Sequence, residues 1–101
     1  MNVIWSAEAL YELDQIERFI AQNNPQRASE FIETLLQRGD SLAYHPDKGR
    51  VVPELSIAVF REILVGHYRL IYYRSAERID ILTVFEGHRL LRLEELKHNP
   101  S

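Results

Sequence analysis

Residues 60–74 have the sequence FREILVGHYRLIYYR, in which two runs of β-branched and aromatic residues flank Gly66-His67. Two residues is a common loop length in β-hairpins, and glycine in the first loop position is typical of a type II′ turn. Such a loop fixes the strand register, because Val65 must then lie opposite Tyr68 and each further pair follows outward. The stretch therefore predicts an antiparallel hairpin.

The same register predicts where the charged side chains of this hairpin lie. Side chains alternate between the two faces of a sheet, and residues paired across two strands share a face. Arg69 pairs with Leu64 and Glu62 pairs with Ile71, so Arg69 and Glu62 are diagonal neighbours on one face. Arg61 lies on the other face, at the rim of an apolar surface that includes Ile63. A cross-strand ion pair and a role in a functional site are both open for Arg69.

Helical periodicity dominates the first half of the chain. A short strand over Asn2–Trp5 precedes Ser6, which is a candidate N-cap, and Asn24-Pro25 gives a second helix start. Two apolar stripes at helical spacing follow these caps, made of Ala9, Leu10, Leu13, Ile16 and Ile20, and of Ala28, Phe31, Ile32, Leu35 and Leu36. The short connection predicts an antiparallel helical hairpin.

Strand patterns return after Asp47-Lys48-Gly49-Arg50. Residues 51–55 are extended but contain Pro53, which predicts an edge strand or no strand. Arg78–Phe85 predicts the third strand of a meander. We expect the core face to carry Ile63, Val65, Ile79, Ile81 and Thr83, with either Leu70 and Tyr72 or Ile71 and Tyr73 from the middle strand. Leucines at 90, 91, 93 and 96 predict a short C-terminal helix that ends at Asn99-Pro100.

The predicted order of elements is β-α-α-β-β-β-α. A helical hairpin packed on a mostly antiparallel β-sheet is an α+β fold. The chain has 101 residues, which is the size of one small domain, and we see no internal repeat or linker, so residues 1–101 are predicted to form a single domain.

Composition excludes several classes of protein. The absence of cysteine excludes disulfides and thiolate metal sites, and the four histidines have no recognisable metal-ligand spacing, so we expect no metal. No glycine-rich phosphate loop or nucleophile elbow is present, and we expect no cofactor. No apolar run approaches the roughly 20 residues of a membrane span, and we expect no membrane partner and a cytoplasmic location.

Charge is distributed unevenly along the chain. The net charge of −3 divides into −5 over residues 1–47, +3 over residues 48–93 and −1 over the remainder. Ten of the twelve basic residues are arginine, the side chain best suited to phosphate and carboxylate recognition. The basic second half is thus a candidate surface for a nucleic-acid-associated target or an acidic protein. Gly87-His88-Arg89, which follows the last strand, is a further candidate site because His88 can act as a general acid or base.

Several segments in this order resemble the RelE/ParE superfamily of bacterial type II toxin–antitoxin toxins over nearly the whole chain. They are Trp5-Ser6-Ala7-Glu8-Ala9 with Leu13 and Ile16, Asn24-Pro25-Gln26-Arg27-Ala28, Pro46-Asp47-Lys48-Gly49-Arg50 with Pro53-Glu54-Leu55, Arg61-Glu62-Ile63, Tyr68-Arg69-Leu70-Ile71-Tyr72-Tyr73, and Ile81-Leu82-Thr83-Val84 before Gly87-His88-Arg89. The resemblance implies a small toxin that is neutralised by a cognate antitoxin protein.

The superfamily has two branches with different targets. Asn24-Pro25, Gly49-Arg50, Pro53-Glu54-Leu55 and Arg61-Glu62-Ile63 are more similar to the ParE-like branch, which implies inhibition of DNA gyrase by direct binding. We expect that function, with Arg89 and Arg92 as target-binding residues.

The RelE-like branch is the alternative and implies a ribosome-dependent mRNA endoribonuclease, with the ribosome and mRNA as partners. Under that hypothesis Arg61 and Arg69 match basic catalytic positions. Ile63 occupies the position of a strand lysine and no tyrosine follows Tyr73, so His88 is the candidate acid or base. A second alternative is an inactive relative that acts as a binding module.

Overall fold

The computed structural model describes residues 1–96, which form two helices packed on a five-stranded sheet. The elements are β1 (Asn2–Trp5), α1 (Ala7–Ala21), α2 (Pro25–Asp40), β2 (Arg50–Val51), β3 (Phe60–Val65), β4 (Tyr68–Arg74) and β5 (Arg78–Glu86). The strand order is β1-β5-β4-β3-β2, with β1 parallel to β5 and all other pairs antiparallel. The predicted α+β class and the mostly antiparallel sheet are confirmed.

Both predicted N-caps start their helices. The Ser6 hydroxyl accepts a hydrogen bond of 3.0 Å from the backbone N–H of Ala9, and Asn24 Oδ1 accepts one of 3.0 Å from Arg27. Each cap satisfies a backbone donor that has no partner within the helix. Pro25 occupies the first position of α2, where its missing N–H costs nothing.

The β3–β4 hairpin has the predicted register throughout. Counting outward from the loop, Val65 pairs with Tyr68, Leu64 with Arg69 and Glu62 with Ile71. Gly66 has a positive φ of 59° and His67 does not, which agrees with a type II′ turn. The turn therefore fixed which face each side chain of the hairpin occupies.

One face assignment in β5 is wrong. The β4–β5 register shifts between Ile71 and Tyr72, so that Thr83 lies opposite Ile71 while Ile81 lies opposite Tyr72. This irregularity inserts one extra residue into β5 and breaks the alternation of side chains. Thr83 consequently leaves the helix-facing side that Ile79 and Ile81 share, and Val84 takes that side instead.

The main core lies between the helices and one face of the sheet. It contains Leu70 and Tyr72 from β4, which resolves the alternative that the sequence left open. Gly39 of α2 sits against this face because its backbone approaches the ring of Trp5; a Cβ there would lie 2.3 Å from Trp5 Cζ2. The absence of a side chain thus allows α2 to pack close to β1.

The other face of the sheet, which we call the second face, is also covered. A smaller cluster packs there, composed of Val52, Ile71, Leu82, Phe85, Leu91 and Leu96. The cover consists of residues 52–55 and of residues 88–96, which we call the C-terminal strap. A sheet buried on both faces explains why β4 is apolar on both sides.

The strap differs from the predicted C-terminal helix. Its regular structure within the described residues is one 3₁₀ turn, Leu93–Glu95, because Leu91 and Leu96 both face the sheet and Arg92 is extended. The predicted helix end at Asn99-Pro100 lies outside the described residues. Arg50–Val51 forms a two-residue edge strand that ends before Pro53, as predicted for that segment. Within residues 1–96, neither helix combines the length and hydropathy that a membrane span requires.

Replacing Gly39 by alanine should destabilise the fold by about 1–3 kcal/mol, because the new methyl group overlaps the Trp5 ring. Helix propensity alone would make the same change favourable by about 1 kcal/mol. Urea unfolding measures the outcome. Ser29→Ala, at an exposed position of α2, is the control and should leave the free energy of unfolding nearly unchanged. A more stable Gly39→Ala variant would contradict the close approach.

Candidate functional site

Arg69 lies at the centre of a buried group of charged side chains on the second face. Its side chain is 6% exposed. Its Nε donates a hydrogen bond of 2.7 Å to Glu62 Oε1, and its Nη1 and Nη2 donate to the two oxygens of Glu54 at 2.6 and 2.8 Å. Arg50 approaches Glu62 from the solvent side at 2.6 Å. We call Arg50, Glu54, Glu62 and Arg69 the Arg69 cluster.

The Arg69 cluster also holds the backbone of the C-terminal strap. Arg69 Nη1 donates to the carbonyl oxygen of Arg89 at 3.0 Å, and the N–H of Leu91 donates to Glu54 Oε2 at 2.9 Å. Every nitrogen of the Arg69 guanidinium therefore contacts an acceptor within the protein. The predicted diagonal contact between Arg69 and Glu62 is present, and Glu54 joins it from a segment for which no role was predicted.

Hydrogen bonds between Arg69 and Glu54 keep both of these side chains charged. Hydrogen bonds from Arg69 lower the pKa of Glu54 from 4.5 to about 2. The two carboxylates in turn raise the pKa of Arg69, with the Glu54 hydrogen bonds as the largest cause. A bidentate pair between a guanidinium and a carboxylate is among the strongest polar contacts in proteins. Glu54 and Arg69 therefore stay charged at any pH at which a cell functions.

The two candidate target-binding residues belong to the strap. The Arg89 guanidinium lies 4.9 Å from the centre of the Phe85 ring and pairs with Glu95 at 2.8 Å. The Arg69 guanidinium lies 5.2 Å from the same ring. Arg92 is exposed, and the structure shows no ion pair between it and another residue of 1–96. Among the described residues, the Arg92 guanidinium thus has no carboxylate partner and is exposed for contact with another molecule.

Arg61 lies on the opposite face from Arg69, as the register predicts. Its Nη1 donates a hydrogen bond of 2.9 Å to the carbonyl oxygen of Gly49, and its Nε lies 3.8 Å from Asp47. The Tyr72 hydroxyl accepts from the Gly49 N–H and donates to Pro46, so this loop is fixed from two sides. Burial raises the pKa of Tyr72. The contacts of Arg61 therefore indicate that it holds the 46–50 loop in place.

His88 lies at an exposed position beside a groove of about 520 Å³ on the second face. The groove brings His88 near Arg69 and near His67 of the hairpin loop, and exposed Leu64 and Leu90 form part of its wall. Arg61 does not line it. Of the three residues predicted for catalysis, the fold therefore brings together Arg69 and His88 and keeps Arg61 apart. No group of three or more metal-ligating side chains occurs within residues 1–96.

The sequence matches the family described as "ParE toxin of type II toxin-antitoxin system, parDE" over residues 3–91. The chain belongs to this toxin family. Membership implies an antitoxin as a partner. The match includes both the Arg69 cluster and the first part of the strap.

Individual proteins agree with the family assignment. The chain is 33% identical over 90 residues to "Toxin RelE2" of Caulobacter vibrioides, covering 88% of this chain and 98% of that protein. It is 29% identical over 88 residues to "Putative toxin Y4kP" of Sinorhizobium fredii, covering 87% and 90%. A structure described as "Chromosomal ParDE TA system from P. aeruginosa" has a TM-score of 0.71 at 17% identity, covering 85% of this chain and 95% of its own. This last likeness confirms the fold.

Sequence reasoning missed two residues of the Arg69 cluster, Arg50 and Glu54, of which Glu54 makes the more distant contact in sequence. Glu54 is near Pro53 in a segment with little regular structure, and nothing local indicates that it crosses to β4, 15 residues away. The available signal was Arg69 itself, because an arginine that becomes buried needs more than one acceptor for its five N–H donors. The carboxylate of Glu62 alone could not accept hydrogen bonds from all three guanidinium nitrogens of Arg69.

Replacing Arg69 by alanine should lower the free energy of unfolding by about 3–5 kcal/mol, because two carboxylates lose their buried partner. Urea unfolding followed by circular dichroism measures the change. Arg18→Ala is the control, since its ion pair with Asp14 is largely exposed and should contribute less than about 1 kcal/mol. Equal effects of the two substitutions would contradict a structural role for Arg69.

The depressed pKa of Glu54 predicts how acid affects stability. A carboxylate with a folded-state pKa of about 2 and an ordinary unfolded pKa near 4.5 stabilises the fold fully above pH 4.5, and that contribution falls as the pH drops toward 2. Glu54→Gln should remove this part of the pH dependence. Urea unfolding at several pH values between 2 and 7 measures it, and identical slopes for variant and wild type would contradict the assignment.

Proposed function

We propose that this toxin inhibits DNA gyrase by direct binding, that Arg89 and Arg92 of the C-terminal strap contact the gyrase complex, and that the cognate antitoxin neutralises it. Gyrase acts in the cytoplasm, which is therefore the location that the proposal implies. The family description as a ParE toxin supports this branch. The observation that carries the proposal is the full engagement of Arg69 by partners within the protein.

RNA cleavage by a 2′-hydroxyl requires a base, an acid and phosphate stabilisation at one point. Arg69 has no nitrogen left for a phosphate, since each one contacts Glu54, Glu62 or the Arg89 carbonyl oxygen. Arg61 is on the opposite face and is tied to Gly49. This arrangement favours binding over phosphodiester cleavage.

The distribution of ion pairs also favours a focused contact over a broad polyanion-binding surface. Residues 48–93 contain eight basic side chains, but six of them pair with carboxylates: Arg50, Arg61, Arg69, Arg74, Arg78 and Arg89. Pairing cancels most of the field that attracts nucleic acid over a distance. Arg92 and Lys48 have no ion pair within the described residues, and Arg92 is on the strap.

A second candidate function is ribosome-dependent mRNA cleavage. One observation favours it, namely that the relative with 33% identity is named "Toxin RelE2". His88 and Arg69 line the same groove, so that groove would be the place where RNA binds. Under this hypothesis, Arg61 would act through the position of the 46–50 loop.

Two assays on the purified protein separate these functions. We expect inhibition of plasmid supercoiling by DNA gyrase, and intact message in a ribosome-programmed mRNA cleavage assay. Cleavage without gyrase inhibition contradicts the proposal and supports the second candidate. Induced expression without the antitoxin should arrest growth, and normal growth together with two negative assays would indicate an inactive binding module.

Arg92→Ala should raise the toxin concentration needed for half inhibition of gyrase by about tenfold, because an exposed arginine without an internal partner loses its contact with the target. The free energy of unfolding should change by less than about 0.5 kcal/mol, as for most surface substitutions. Arg18→Ala, an exposed arginine on α1, is the matched control and should inhibit like the wild type. Equal inhibition by Arg92→Ala and wild type would remove Arg92 from the contact.

A further inference from the structure

The C-terminal strap has little regular structure of its own to fix its path. It contains a single 3₁₀ turn, and Leu90 near its start is 76% exposed, so burial does not hold that point. Two hydrogen bonds, one on each side of Leu90, fix the backbone there in addition to the buried side chain of Leu91. They join the Arg89 carbonyl oxygen to Arg69 and the Leu91 N–H to Glu54.

Glu54 is the residue on which both of these bonds depend. Its carboxylate accepts from Leu91 directly, and its bidentate contact orients the Arg69 guanidinium that reaches Arg89. Arg89 and Arg92, whose guanidinium groups are the proposed target contacts, lie on either side of Leu91 in the strap. A shift of the backbone at Leu91 would therefore move both.

We propose that Glu54 is a positioning residue for target recognition: it fixes the backbone of the strap and thereby sets where Arg89 and Arg92 meet the target. This inference rests on the proposed function of the strap. Glu54 itself contacts no target. Its effect on inhibition is exerted through the strap, and the side chain of Glu54 is only 19% exposed.

Glu54→Gln is the sharpest single change. The carboxylate accepts from two nitrogens of Arg69 and from Leu91, whereas an amide has one oxygen and presents donors from its other end. The variant must lose at least one of these three hydrogen bonds, either the one from Leu91 or one from the Arg69 guanidinium that reaches Arg89. Glu77→Gln is the matched control, since it makes the same chemical change at an exposed residue of the β4–β5 loop, whose side chain makes no hydrogen bond to the strap within residues 1–96.

The experiment measures hydrogen exchange of the Leu91 amide by NMR and inhibition of gyrase supercoiling for each protein. In Glu54→Gln we expect Leu91 to exchange at least about tenfold faster and the half-inhibitory concentration to rise about tenfold. Glu77→Gln should change both by less than about twofold. Circular dichroism shows whether each variant is folded. If Glu54→Gln is unfolded, Glu54→Asp replaces it, because the shorter side chain keeps the charge but cannot span both partners.

A double variant distinguishes positioning from general destabilisation. If Glu54 acts through the strap, adding Arg92→Ala to Glu54→Gln should weaken inhibition by less than about twofold beyond the single variant. Additive losses would overturn the proposal, as would fast Leu91 exchange with wild-type inhibition, or unchanged exchange in Glu54→Gln. If wild-type toxin does not inhibit gyrase, the proposed function fails and the positioning role fails with it, whereas the exchange rates still report whether Glu54 holds the strap.

Discussion

The ion pairs of Arg69 with Glu54 and Glu62 connect three segments on the second face. Glu62 belongs to β3, Glu54 to the irregular segment after β2, and the strap is held through Arg89 and Leu91. Charges removed from water are stable only when each finds partners at good geometry. The cluster meets this condition because the β3–β4 pairing places Arg69 and Glu62 on the same face, within reach of Glu54.

The two faces of the sheet are built on different principles. The helix-facing core is a conventional apolar layer in which α1 and α2 cover Leu70 and Tyr72. The second face is covered by segments without long helices, and its apolar cluster is small. Polar contacts that specify position therefore complement the burial of Leu91 and Leu96.

Most arginines of the second half of the chain form ion pairs within the protein. The sequence suggested an acidic first half and a basic second half, with the basic half as an approach surface for an anionic target. In the structure most arginines of that half pair with carboxylates of the same half or with Asp47. Net charge along a sequence cannot reveal this, because pairing depends on which strands become neighbours. On the strap, Arg92 is exposed and has no ion pair within residues 1–96.

Local rules determined the helix starts at Ser6 and Asn24 and the β3–β4 register, because a cap and a two-residue turn act over a few residues. From that register the sequence also predicted the contact of Arg69 with Glu62. Tertiary structure alone decided three other features: the bulge that turns Thr83 away from the helices, the extended strap in place of a helix, and the arrival of Glu54 at Arg69. Each depends on surfaces that exist only after the sheet has formed, and no short stretch of sequence encodes such a surface.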